Sequence, residues 1–543
     1  MFATEARTDA EKTSLKNHLT TYLNTEFQSA VTNVEVTADK VVINGTCAGT
    51  GQFQLIELTP ADDVTEDSCY THRTTLTQSE FTVVLDRHCT YNGIGYDRIL
   101  SKWAIIDTST GEDVLVSHAR YADKVTAIAS PEALQPESKK GFGAGLGELY
   151  MQDVVDCNVH YITINWVITT FIASTPIWAN NIPYTYEGKQ YYIDGDAIAS
   201  WDNYLRFYQQ HDVSVSAIIL ITPTASDPNL TNIFCHPENN GGNYSMANMT
   251  TMESVNLYAA ILNYLASRYC NDTYGRVHHW IMHNEVDAAN EWTNMGSQPE
   301  LVYNDTYIKS MRMCYNIVRQ YDQNASVLGS YTHCWTKSYD SANYTGKRML
   351  EQIVKYSEVE GDFLWGVAFH PYPQDITKPE FWKNDSTAIY SIESPDITFK
   401  NLEVINEWIN MPQNKYHGNI KRNLFLSENG TNSLSYSERD LALQAAGGCW
   451  AWKKANALDG IDAIMWHNWM DNRVEFGLRI GLRFYPDDET NPSGPKPVWF
   501  VWQNADTDNE DSHFEQYKSY LGINDWSEIF HQMQGTGNIL DPK

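Results

Sequence analysis

Three textures of hydrophobic and polar positions succeed one another along the chain. Residues 1–30 place apolar side chains at Leu15, Leu19, Tyr22 and Leu23, the stripe of an amphipathic helix, and predict a helical lead-in. From 31 to 130 the helical period disappears. Short runs such as VEV, KVVINGTC, QFQLIEL, FTVVLD and ILSKWAIID are separated by Asp, Gly, Thr and Asn, which predicts a small β-sandwich, of a kind that also serves for carbohydrate binding. The polar stretch SPEALQPESKK, with two prolines, reads as a linker.

After Gly141, strand-like and helix-like segments alternate. The strand candidates are GFGAG, HYITINWVI, SVSAIILITP, VHHWIMHNE, SVLGSYTH, DFLWGVAFHPY, NLFLSENG and DAIMWHNW. Between them, TMESVNLYAAILNYLASRY, YIKSMRMCYNIVRQY, NLEVINEWINM and SERDLALQAAGGCWAWKKA carry helical apolar spacing. Eight strands alternating with helices over 141–543 predict an α/β fold, the (β/α)8 TIM barrel, with long inserts near 222–250 and 372–395. A doubly wound sheet would also alternate. GFGAGLGE, however, lacks the dinucleotide-binding spacing, and no acidic partner follows at the right distance.

Composition narrows the function. The net charge is −30, which repels phosphate backbones and argues against a nucleic-acid partner. No run of 18 apolar residues exists, so no membrane span is expected. The first twenty residues contain no apolar signal core. The expectation is a cytoplasmic protein, or a mature secreted one whose signal has been removed. Nine cysteines without a CxxC pair predict scattered buried thiols; a bridge within Cys47, Cys69 and Cys89 is the alternative. Seventeen Trp and 33 Tyr suit ligands with C–H faces and hydroxyls, as sugars have, although many such rings serve as core.

In a barrel, chemistry gathers where strands end. The fourth candidate finishes His283-Asn284-Glu285, and the seventh finishes Ser427-Glu428-Asn429. The second ends Asn165-Trp166, the fifth near His333 and Trp335, the sixth His370-Pro371-Tyr372, and the eighth begins its exit at Trp466. Two carboxylates facing each other across a mouth can cleave a glycosidic bond, one protonated and donating, the other ionised and attacking. Trp166, Trp292 and Trp466 are the expected stacking platform, Asn165 and Asn284 the expected hydroxyl binders, and His333 and Trp335 further expected substrate contacts. Asn-Glu closing strand four with a second Glu closing strand seven resembles the clan A retaining glycoside hydrolases. That resemblance implies Glu285 as acid/base, Asn284 on the sugar 2-hydroxyl and Glu428 as nucleophile. His370, Tyr372 and Trp466 match the clan's usual positions on strands six and eight. The segment HNEVDAANEWTNMG, 283–296, is similar to an uncharacterised bacterial family of barrel glycosidases.

The expected function is therefore a retaining hydrolase of β-linked oligo- or polysaccharides. A non-catalytic carbohydrate-binding barrel and a transglycosidase with the same intermediate are the alternatives. No cofactor is expected, and no metal, since His278, His279 and His283 are close in sequence but strand neighbours point to opposite faces and do not converge easily. Competing readings of the site make Glu285 the buried ion-pair partner of Arg312 or Arg473, or replace it as acid by Asp287 or Glu291.

Overall fold

The structure, a computed structural model, describes residues 6–64, 70 and 72–534. Eight parallel strands close into a barrel. They are β1 (Lys140–Phe142), β2 (Tyr161–Val167), β3 (Ser214–Leu220), β4 (His279–Met282), β5 (Ser326–Tyr331), β6 (Trp365–Phe369), β7 (Leu424–Asn429) and β8 (Ala463–Trp466), and β8 pairs back onto β1. Each overlaps a segment that the alternation predicts.

Strands covered on both faces are made mostly of apolar and small residues, and β3, SVSAIIL, is buried at every position. One face of the strands fills the barrel with Tyr161, Ile218, Ile281, Leu328, Phe425 and Met465. The other packs on surrounding helices, among them Met252–Tyr269, Glu300–Arg319 and Glu438–Ala457. Their starts are capped as sequence rules require: Thr251 accepts from the Ser254 amide, and Ser437 from the Asp440 amide. An insert after β2 forms a small antiparallel sheet of Ile172–Ala173, Asn181–Tyr186 and Lys189–Asp194.

Ahead of the barrel, a helix at Asp9–Asn24 buries Leu15, Leu19, Tyr22 and Leu23. Two four-stranded sheets follow. One orders Lys124–Val125, Ala30–Val36, Lys40–Thr46 and Glu80–Asp86; the other orders Arg73–Thr75, Phe53–Leu58, Lys102–Asp107 and Val114–Leu115. Their apolar faces join one core with the barrel's outer layer. Among the described residues eight cysteines are free thiols; Cys69 lies outside the described residues. No helix among them is long and apolar enough to cross a membrane.

Candidate active site at the barrel mouth

Two local distortions aim the two glutamates. In β7, Phe425 pairs with Ala463 and Leu426 with Ile464, but the next pairing joins Asn429 to Trp466. One extra residue on β7 breaks the alternation there, so that Glu428 faces the mouth. The buried Asn429 amide closes this bulge by donating to the Leu426 and Met465 carbonyls, at 2.8 and 2.9 Å. After β4, Glu285 adopts a left-handed backbone, φ 39°. Its amide donates to Ser330 Oγ at 3.1 Å, and the Val286 amide to the Ser330 carbonyl at 3.0 Å, tying the turn to the tip of β5.

Glu285, His370 and Glu428 converge, with one ligand-type atom from each within 4.8 Å of the others. His370 Nδ1 lies 2.8 Å from Glu285 Oε1 and 3.9 Å from Glu428 Oε2. Tyr372 donates its hydroxyl to Glu428 Oε1 at 3.1 Å, and His467 Nε2 stands 3.9 Å from the same oxygen. Burial pushes the Glu285 carboxyl up; the neighbouring Glu428 and Glu291 charges push the same way, against the His370 contact. Burial also acts upward on Glu428, but His467, His370 and the Tyr372 hydrogen bond outweigh it and hold that carboxyl below the usual range. His370 is raised: burial opposes its charge, and Glu428 and Glu285 favour it more strongly. The surroundings thus drive the two carboxyls in opposite directions, Glu285 up and Glu428 down, with His370 raised between them. The same three side chains form a donor set with the spacing of a metal-ligating group.

The competing readings of Glu285 are not what the structure contains. Arg312 stacks on Phe363 and donates to the Gly361 carbonyl, and Arg473 forks onto Asp487. Asp287 is buried behind the mouth, where Thr332 binds it through amide and hydroxyl at 2.9 and 2.6 Å. Burial first, with the Glu285 charge assisting, raises it to about 7. Glu291 is exposed.

Of the predicted binders, Asn284 lies beside Glu285, and Asn165 is exposed within β2, on the face shared with Tyr161 and Val167 that looks into the barrel. Three predicted substrate contacts are corrected. Trp166 must point the opposite way from Asn165; it is fully buried among Trp201, Tyr269 and Trp280. Trp466 follows the inward Met465 and so points outward. It is fully buried against Trp502, its indole N–H donated to the Ile480 carbonyl. Trp335 is fully buried against Trp408 and Phe369 and donates to the Ile392 carbonyl. His333 is largely covered, near Cys334 and Asp396, and burial lowers it to about 4. Its ring meets the half-exposed Tyr339 hydroxyl at 3.3 Å. Trp292 is half-buried and stacks on Tyr244, ring centres 6.2 Å apart. Tyr244 packs on the barrel's inner cluster and feels the Glu428 charge, which puts the pair at the mouth.

Sequence reasoning misses Tyr244, His467 and Ser330. Tyr244 sits in a long insert with no periodic signal. His467 follows Trp466, and the same two-residue alternation that turns Trp466 outward turns His467 inward.

The fold and site define an α/β-barrel protein with a paired-carboxylate mouth. The chain belongs to the family described as "Family of unknown function (DUF5722)", which matches residues 132–529. No curated protein sequence matches it. Among solved structures it is similar to a family 39 glycoside hydrolase from Bacteroides cellulosilyticus WH2, at 11% identity, covering 89% of this chain and 83% of that one, with a TM-score of 0.45. It is also similar to xylanase 10B from Thermotoga maritima, at 14% identity, 70% and 95% coverage and TM-score 0.42. A β-glucosidase from Pyrococcus furiosus follows at 13% identity, 69% and 87% coverage and TM-score 0.41.

Proposed function

We propose that the protein is a retaining glycoside hydrolase acting on β-linked oligo- or polysaccharides, with Glu285 as acid/base and Glu428 as nucleophile. The observation that carries this reading is the approach of the two carboxylates within 4.8 Å, one pushed up and the other held down. Retaining enzymes keep their carboxyl groups about 5–5.5 Å apart, whereas inverting ones need roughly 6.5–9.5 Å to admit a water. Opposite protonation states at neutral pH are what double displacement needs.

Glu428 attacks the anomeric carbon while the proton held by Glu285 and His370 passes to the departing oxygen. Water deprotonated by Glu285 then releases the sugar from Glu428. Tyr372 holds Glu428 in line, and Asn284, Asn165 and the Tyr244–Trp292 pair bind the ring's hydroxyls and faces. The two N-terminal sheets are read as halves of a β-sandwich that buttresses the barrel wall.

Azide separates the two roles. Glu428→Ala should lose hydrolysis by at least about 10⁴-fold and, with azide, form a glycosyl azide of inverted anomeric configuration, because azide occupies the face the nucleophile has vacated. Glu285→Ala should still cleave activated aryl glycosides and give azide products of retained configuration. Wild-type rates in Glu428→Ala, or identical product stereochemistry from both variants, would overturn the assignment.

A further inference from the structure

Resting on that catalytic reading, we infer that the sugar held beside Glu428 is uncharged, and that Glu475 is the residue that selects it. Glu475 belongs to the loop leaving β8, a tight turn in which the Glu475 amide donates to the Asn472 carbonyl and the Leu478 amide to the Glu475 carbonyl. Leu478 is buried with Ile480 against Tyr372, the residue that binds Glu428, so the turn is anchored to the catalytic wall. The Glu475 carboxylate accepts from the Asn468 amide on one oxygen; the other lies 3.9 Å from His467 Nε2. That same His467 atom is 3.9 Å from Glu428, so the two carboxylates flank one imidazole. The Glu475 side chain keeps 34% exposure, and Asn468 uses only one of its lone-pair directions. Two carboxylate oxygens side by side fit two O–H donors on adjacent ring carbons.

Charge decides the class of sugar. Glu285, Glu428 and Glu475 find their ion-pair partners among the described residues in His370 and His467, with no lysine or arginine in that set. The nearest arginines along the loop turn elsewhere: Arg473 forks onto Asp487, and Arg479 donates Nη1 to the Leu434 carbonyl and lies over the Tyr436 ring. Recognition of a uronate or sulfate calls for a guanidinium fork or an ammonium. Here an anionic sugar would meet carboxylates of its own sign and leave their hydrogen-bonding demand unmet. Discrimination against it comes both from missing attraction and from repulsion.

The test uses pairs of aryl β-glycosides that differ only at C6, glucoside against glucuronide and galactoside against galacturonide, with methyl glycosides of the same pairs for calorimetric binding. The uncharged member of any pair that is hydrolysed should exceed its uronide in kcat/KM by at least about 100-fold. Glu475→Gln should lose about 10–100-fold in kcat/KM on the uncharged substrate. Removing one hydroxyl at a time from that substrate should cost wild type a similar factor at the position Glu475 contacts. The same deletion should cost Glu475→Gln little, a coupling that a merely structural residue does not produce. A faster uronide, or equal deoxy penalties in wild type and variant at every position, overturns the proposal. Were no glycoside hydrolysed, the catalytic reading alone would fail. Binding then decides: saturable binding of an uncharged sugar, weakened in Glu475→Gln, supports the selection, and its absence overturns it.

Discussion

At the residue scale, the site rests on two glutamates given opposite environments, and pH should expose that difference. Glu428 is held below its ordinary 4.5 and Glu285 pushed above it, and the proposed double displacement needs the first ionised and the second protonated. A bell-shaped kcat/KM profile is expected, with its acid limb below 4.5 and its alkaline limb above it. Tyr372→Phe deletes the hydroxyl bound to Glu428 at 3.1 Å. The loss of one hydrogen bond to a charged group is worth about 10–100-fold in kcat/KM, and it should move the acid limb upward while leaving the alkaline limb in place. An unmoved acid limb would show that Tyr372 is not tuning Glu428. Much of this pair was legible from sequence, because a glutamate directly after an apolar strand is a rare and informative placement. The tryptophans depart from expectation for a physical reason. In Asn165-Trp166 only one side chain can face the barrel, and in Met465-Trp466 the inward position falls to Met465. A period-two assignment anchored on Tyr161 and Ala463 identifies the outward ring each time.

At the scale of elements, strand order was readable from alternation, but the devices that aim the glutamates were not. The β7 bulge appears only in the register with β8, and the left-handed turn at Glu285 only in its bonds to β5. The tip of β5 works as a clamp on this turn: Ser330 holds the Glu285 and Val286 amides, and Thr332 holds Asp287. Asp287 carries a stability cost that can be measured. Its carboxyl is raised from 3.8 to about 7, chiefly by burial. Between those values the folded state keeps a proton that the unfolded chain has released, so stability falls as pH rises through that window. Asp287→Asn preserves the shape and both contacts with Thr332 without the charge. Its melting temperature should therefore fall less than that of wild type between pH 4 and 7, as read by calorimetry. Parallel slopes for the two proteins would mean that Asp287 is not the group responsible.

At the scale of the molecule, the N-terminal sheets and the barrel share buried polar contacts as well as a core. Glu360, at the end of a barrel helix, accepts from Lys102 Nζ at 2.7 Å and from the Tyr22 hydroxyl at 2.9 Å, and all three are buried. The Ile99 carbonyl accepts from Asn316 on another barrel helix at 2.9 Å. The sequence pointed to a sandwich and a barrel in series but gave no sign of this seam, because its partners lie hundreds of residues apart and none has a local pattern. A charge pair buried this deeply is a weak source of net stability while intact, and costly when one partner is removed, since the other is left unpaired in an apolar setting. Glu360→Ala strands the Lys102 ammonium and should destabilise the whole protein by about 3–5 kcal/mol. The double variant Glu360→Ala with Lys102→Met should recover most of that loss. If the seam couples the two parts, each variant should unfold in one calorimetric transition that shifts as a unit. Two transitions, with only the lower one moved by Glu360→Ala, would show instead that the sheets fold independently of the barrel and that the wall carrying Glu285 and Glu428 stands without them.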